Sequence, residues 1–251
     1  MKIYGLIGYP LSHSFSEGYF AEKFRKENIS GVQYKNFPIA SINELPGLIE
    51  ANPNLVGLNV TIPYKEEVIT YLDDVEVNAR EVGAVNTIRI ERISGSTKLR
   101  GFNTDTHGFS ASLEPFTRTS GNRALILGTG GAAKAVAYVF TGLGIYYRYV
   151  SRTPNKQANE YGYHELNKSL VENFNIIVNT SPVGMYPSVD QAPPIPYEFL
   201  NEQHLLYDLI YNPAETLFLK KGKERGTLTK NGLEMLELQA EKSWSIWNLE
   251  E

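Results

Sequence analysis

Leu125-Ile126-Leu127-Gly128-Thr129-Gly130-Gly131-Ala132-Ala133 is the stretch whose reading decides the fold. A short apolar run, suited to a buried strand, enters a glycine-rich turn and continues into an alanine-rich run suited to a helix. Gly128, Gly130 and Ala133 occupy the G-x-G-x-x-G/A positions of a dinucleotide-binding turn. Glycine there permits the tight turn and lets the backbone approach a pyrophosphate. The helix that follows offers free N–H groups and a positive dipole end. Residues 131–143 read as that helix and 146–150 as a second strand, which runs into Ser151-Arg152-Thr153. A site for an unphosphorylated ribose normally carries Asp or Glu at this point. Here stand Arg152 and Thr153, with Lys156 close behind, groups suited to a 2′-phosphate. The expected cofactor is therefore NADP(H) rather than NAD(H).

Outward from this turn the pattern stays α/β. Before it, strands are predicted at residues 3–7, 32–39 and 55–62 and a helix at 16–27. A second helix opens at the capping box Ser41-Ile42-Asn43-Glu44, and a third at Pro63, running through Val68, Ile69 and Leu72. Two extended runs, 84–90 and 98–102, are joined by the turn-like Ser94-Gly95-Ser96. Such alternation predicts a mainly parallel sheet covered on both faces. After a polar break at 114–122 the second series begins, with further strands at 175–179 and 204–210. Residues 153–175 are short for such a domain, so an element there is expected to be trimmed. A closing helix at 233–248 carries Leu236, Ala240, Trp244 and Trp247 roughly on one face.

The length agrees: 251 residues divided by roughly 150 per domain gives about 1.7. The predicted division is a substrate domain, 1–105, rejoined by 232–251, and a Rossmann-like NADP-binding domain, 106–231. Cysteine is absent, which removes thiol nucleophiles, iron–sulfur clusters and disulfides. His13, His107, His164 and His204 never fall at metal-ligand spacing, so no metal site is expected. A net charge of −4 with scattered basic residues argues against nucleic acid or an anionic membrane as partner. The longest charge-free apolar-rich run, 135–147, is well short of the ~20 residues a membrane helix needs. The first residues lack a signal-peptide pattern, so a cytoplasmic protein is expected.

Two loops carry the chemistry outside the nucleotide turn. Ser12-His13-Ser14 follows the first predicted strand, at the end of a parallel sheet where ligands bind. Its two hydroxyls could hold one carboxylate, or one serine could simply cap the next helix. Asn59-Val60-Thr61-Ile62-Pro63-Tyr64-Lys65 ends a buried strand and starts a predicted helix. Thr61 and Lys65 are expected to face one crevice. A lysine in a helix's first turn meets the positive dipole end, which disfavours its ammonium form and suits it to proton transfer.

With these motifs in place, the chain resembles the shikimate dehydrogenase family over essentially its whole length. The resemblance rests on Ser12-His13-Ser14, the run from Asn59 to Lys65, Gly83-Ala84-Val85-Asn86-Thr87 and Gly101-Phe102-Asn103-Thr104-Asp105. It continues through the glycine turn, Asn179-Thr180-Ser181-Pro182-Val183-Gly184-Met185, Asp208-Leu209-Ile210-Tyr211-Asn212-Pro213, and Asn231-Gly232-Leu233 with Gln239 after it. It departs where the family commonly reads Asn-Arg-Thr against Ser151-Arg152-Thr153, and Asn-Ala-Thr or Asn-Thr-Thr against Asn179-Thr180-Ser181.

What the resemblance implies is an NADP-dependent reduction of 3-dehydroshikimate to shikimate in aromatic amino acid biosynthesis, by a monomer or homodimer. It places the substrate carboxylate on Ser12 and Ser14, and the ring hydroxyls on Thr61, Asn86 and Gln239, with Tyr211 a further substrate contact. Lys65 and Asp105 match the catalytic pair, Asp105 also meeting a substrate hydroxyl. Gly128, Thr129, Gly130, Gly131 and Ala132, then Ser151, Arg152 and Thr153, match the cofactor loops, with Leu209 and Gly232 near the nicotinamide end. The final helix is expected to pack back on the first domain. Two alternatives share the scaffold. A dual quinate/shikimate dehydrogenase would go with an altered Ser-x-Ser loop and NAD use, and a non-catalytic NADPH-binding sensor would have lost Lys65 or Asp105.

Overall fold

A computed structural model describes residues 1–11, 15–93, 95–117, 121–155 and 160–249. Ser12, Ser14 and Lys156 lie outside the described residues. The chain divides into two compact units, Met1–Thr104 with Ala240–Glu251, and Asp105–Gln239.

The first unit contains β1 (Lys2–Gly8), α1 (Phe15–Lys26), β2 (Val32–Pro38), α2 (Leu45–Ala51), β3 (Leu55–Val60), β4 (Asp74–Val75), α3 (Val77–Val82), β5 (Thr87–Ile93) and β6 (Ser96–Phe102). Its sheet runs β2-β1-β3-β5-β6-β4. β1 pairs in parallel with β2 and β3, as the strand–helix alternation predicts. β5 instead runs antiparallel to both β3 and β6, so the sheet is mixed. For β5 and β6 the reason is the connection: a turn at Gly95, with φ +84°, is far too short for a parallel crossover. The predicted helix at Pro63 does not form; a turn and a short 3-10 segment, Glu67–Tyr71, take its place.

The second unit contains α4 (Asp105–Leu113), β7 (Arg123–Leu127), α5 (Gly131–Gly142), β8 (Tyr146–Ser151), β9 (Glu160–Gly162), α6 (Lys168–Asn173), β10 (Ile176–Asn179), β11 (Leu205–Asp208), α7 (Leu217–Lys223), β12 (Leu228–Lys230) and the start of α8 (Leu233–Trp247). The sheet order is β9-β8-β7-β10-β11-β12, every pairing parallel. This is the doubly wound order, with its switch point between β7 and β10. Alternation along β7 explains why residues 124–127 are apolar without a break. Ala124 and Ile126 join the cluster under α5, and Leu125 and Leu127 the cluster on the opposite face. Residues 153–175, short as they are, keep both a strand and a helix, β9 and α6.

α8 belongs to both units by contact, dividing at Gln239. Its later half packs on the first unit: Ala240, Trp244, Ile246 and Trp247 join Tyr4, Phe20, Phe24 and Tyr34 in an aromatic-rich core. The Trp247 indole stacks on Tyr4 at 5.0 Å and donates to the Ile88 carbonyl at 2.9 Å. Gly57 makes room for it, since a Cβ there would lie 2.5 Å from the indole.

Candidate active site

The glycine turn occupies the switch point of the second unit's sheet, where ligands of open α/β sheets bind. Gly128 has φ +123°, and an added Cβ would meet the Thr180 hydroxyl at 2.7 Å. Thr180 in turn donates to the Leu127 carbonyl at 2.8 Å, tying the end of β10 to the end of β7. Gly130 caps α5 in an extended conformation and supplies no side-chain hydrogen bond to the first-turn N–H groups. An added Cβ at Gly130 would meet nothing within 4 Å, so its lack of side chain leaves open space beside those donors. Thr129 and Gly130 are exposed and Gly131 and Ala132 half-buried. At the end of β8, Arg152 and Thr153 are exposed and no carboxylate stands among Ser151, Arg152 and Thr153. The Ser151 hydroxyl accepts the Thr153 N–H at 3.2 Å, which turns the chain at this point. Helix N-terminal donors after β7, with Arg152 following the neighbouring strand β8, fit a pyrophosphate with a phosphorylated ribose.

Leu209 and Gly232 meet in the same unit. Gly232 donates to the Ile210 carbonyl at 3.1 Å, and a Cβ on it would lie 2.0 Å from the Leu209 carbonyl oxygen. Only glycine lets these backbones approach so closely. Tyr211, half-buried, follows β11. Asp105 is buried at the first turn of α4, the helix end that favours a carboxylate. Gly108 sets α4 against the stretch of α8 that carries Gln239, its Cβ position lying 2.4 Å from the Met235 carbonyl.

In the first unit, Thr61 and Lys65, both half-buried, follow the carboxyl end of β3. The Thr61 N–H donates to Ile7 at 2.9 Å and extends the β1–β3 ladder by one residue. Gly8 is required beside it, because a Cβ there would lie 2.4 Å from the Thr61 methyl. The Tyr9 N–H bonds to the Ile62 carbonyl at 3.2 Å, so the chain just after β1 is held to the Thr61 loop. The helix-dipole argument for Lys65 fails, because there is no α-helix at its position. The Lys65 carbonyl is taken by the Val85 N–H at 2.7 Å, and Tyr64 is anchored by its hydroxyl to Ile39 at 2.7 Å. These tertiary bonds remove an acceptor that a continuing helix would use. Asn86, 2% exposed, sits just before β5, its side-chain oxygen accepting the Thr104 N–H at 2.7 Å.

The shikimate dehydrogenase substrate-binding domain family matches residues 6–88. A relative named NADP-dependent shikimate dehydrogenase from Desulforamulus reducens is 35% identical, over 98% of this chain and 89% of its own. Another of that name from Clostridium beijerinckii is 40% identical, over 98% and 92%. The solved shikimate dehydrogenase of Thermus thermophilus, in complex with NADP(H) and shikimate, superposes with a TM-score of 0.84 at 29% identity, over 99% of this chain and 94% of that one. The chain belongs to the shikimate dehydrogenase family.

In this shikimate dehydrogenase family member the buried polar residues around the strand ends were legible only in part. Asp208 is fully buried at the end of β11. It accepts from the Thr216 hydroxyl at 2.6 Å, the Asn179 amide at 3.0 Å and the Ile210 N–H at 3.1 Å. Burial pushes its carboxyl up to about 6, the hydrogen bonds opposing the shift. It thereby joins the loops after β10 and β11 to the Thr216 cap of α7. Asn59, Thr87, Thr104 and Ser243 form a second buried set in the first unit. Sequence reading quoted most of these residues within motifs yet assigned them no role, and it passed over Thr216 and Ser243. Nothing in a lone serine on an amphipathic helix marks it as a network member. Among the described residues, no helix is long and apolar enough to cross a membrane.

Proposed function

We propose that the chain catalyses reversible hydride transfer between NADPH and the ring ketone of 3-dehydroshikimate, giving shikimate. The observation that carries this reading is the joint retention of Lys65 and Asp105 in a chain that matches NADP-dependent shikimate dehydrogenases over 98% of its length.

NADPH, when bound, supplies the hydride chemistry. Residues Gly128, Thr129, Gly130, Gly131 and Ala132 hold its pyrophosphate, and Ser151, Arg152 and Thr153 its phosphorylated ribose. Leu209 and Gly232 flank the nicotinamide. Ser12 and Ser14 hold the substrate carboxylate, and Thr61, Asn86, Tyr211 and Gln239 orient the ring. Reduction leaves charge on the former ketone oxygen, so a positioned proton donor is needed. Lys65 gives that proton and takes it back in the reverse direction. Asp105 orients Lys65 and accepts a hydrogen bond from a substrate hydroxyl. We further propose that the enzyme works in the cytoplasm, as a monomer or homodimer, in aromatic amino acid biosynthesis.

The test is a four-way assay of shikimate or quinate with NADP⁺ or NAD⁺, followed by the absorbance of the reduced nicotinamide. Shikimate with NADP⁺ should be fastest in kcat/KM. NAD⁺ should trail by about tenfold or more, the worth of one charge-assisted hydrogen bond to the 2′-phosphate. A preference for quinate, or no reduction in any arm, would overturn the proposal.

A further inference from the structure

Asn59, Asn86, Thr87, Thr104 and Ser243 form one buried, uncharged cluster within the first unit. The side-chain oxygen of Asn86 accepts from the Thr104 N–H at 2.7 Å, the Thr104 hydroxyl at 3.1 Å and the Thr87 hydroxyl at 3.2 Å. An oxygen so surrounded fixes the amide: its carbonyl end lies in the cluster and its NH₂ end on the other side. Asn59 is held as firmly. The Tyr34 hydroxyl donates to its Oδ1 at 2.8 Å. Its Nδ2 lies 3.0 Å from the Ser243 hydroxyl, 3.2 Å from that of Thr87 and 3.3 Å from the Asn86 carbonyl.

Ser243 completes the set from α8. Its hydroxyl, fully buried, lies 2.8 Å from Thr87 Oγ1 and 3.2 Å from Thr104 Oγ1. Thr87 and Thr104 each direct a hydroxyl proton at Asn86. Ser243 takes a proton from Asn59 and meets Thr87 across the shortest of these contacts, in which either hydroxyl can donate. The order Asn59 to Ser243 to Thr87 to Asn86 is a chain of contacts in which each bond polarises the next.

We propose that Ser243 is a positioning residue for the Asn86 amide, so that Asn86 meets the substrate as a hydrogen-bond donor and in one orientation. This rests on the assignment of Asn86 as a substrate contact. Through Ser243 the last helix then shapes the substrate site with a residue that does not itself touch the substrate.

The test uses the full-length chain with Ser243→Ala, Asn86→Ala and the double variant. Ser243→Ala should raise KM for shikimate about 5- to 20-fold, the worth of one hydrogen bond, with kcat and KM for NADP⁺ within about twofold. In the Asn86→Ala background it should add nothing further, because its effect passes through Asn86. Thr87→Val, which removes the next hydroxyl in the chain, should repeat the pattern and stands in if Ser243→Ala does not fold. The side-chain amide resonances of Asn86, observed by NMR without ligand, should move in Ser243→Ala. An unchanged KM, or an equal rise with and without Asn86, would overturn the proposal. Should the parent reduce no NADP⁺ with shikimate, the functional reading fails, while unmoved Asn86 resonances refute the positioning role by themselves.

Discussion

In the first unit a set of amides and hydroxyls lies buried at the strand ends, whereas in the second a buried set gathers around the carboxylate of Asp208. The first network includes the hydroxyl of Tyr34, whose burial raises its pKa and keeps it a neutral donor. Such a network holds its geometry across pH, which suits a site that must orient several hydroxyls of one small ring. The described partners of Asp208 are neutral donors, so its charge is compensated by hydrogen bonds alone. That arrangement draws three segments of chain together, yet it depends on a carboxylate that burial disfavours. The two units thus anchor comparable loops with different liabilities: steric and hydrogen-bond fit in one, and protonation in the other.

The contrast can be broken or sharpened by stability and kinetics together. Gly232→Ala should give the largest loss in the second unit, about 3 kcal/mol or more, because the new Cβ would sit 2.0 Å from the Leu209 carbonyl. A thermal melt matching the parent would show that the approach relaxes freely. Asp208 comes next. Its carboxyl is raised to about 6 from an ordinary 3.8, so the folded state binds the proton more tightly than the unfolded chain. Its contribution is therefore fully favourable below about pH 4 and is lost as pH rises through about 6, a change of at most about 3 kcal/mol. Asp208→Asn should flatten that part of the denaturation profile, and an unaltered slope would assign it to other groups. Arg152→Ala should raise KM for NADP⁺ by about 10- to 100-fold and leave NAD⁺ use nearly unchanged. Equal losses with both cofactors would make Arg152 structural. The smallest stability change belongs to Gly130→Ala, whose Cβ meets nothing within 4 Å. It should melt like the parent yet bind NADP⁺ less tightly, since the methyl enters the space beside the α5 donors.

Sequence and structure agree best where local pattern and burial point the same way. The strand β7 is readable because both its faces are covered, so its apolar run from Ala124 to Leu127 is unbroken. The Ser41 capping box is present as well, with the Ser41 N–H donating to Glu44 at 2.9 Å and the Asn43 N–H to the Ser41 hydroxyl at 3.3 Å. Lys65 shows the limit. Pro63 and the apolar spacing after it predict a helix, but the Lys65 carbonyl bonds to Val85, twenty residues later, and sequence periodicity cannot register that partner. α4 was overlooked although Phe109 and Leu113, both buried, stand four residues apart on one face. The nucleotide turn was legible because glycine spacing is a local signal. Ser243 was not, because its partners come from β3, β5 and the segment after β6.

The chemical claim rests on Lys65 and Asp105 acting together on one proton, and kcat for Lys65→Ala, Asp105→Asn and the double variant reaches it most directly. Each single change should lower kcat by about 10²–10⁴-fold while NADPH still binds, and Asp105→Asn should also weaken shikimate binding. The double variant should be far less impaired than the product of the two losses, as residues acting as a unit require. Near-normal turnover in Lys65→Ala, or fully multiplicative losses in the double variant, would contradict the account.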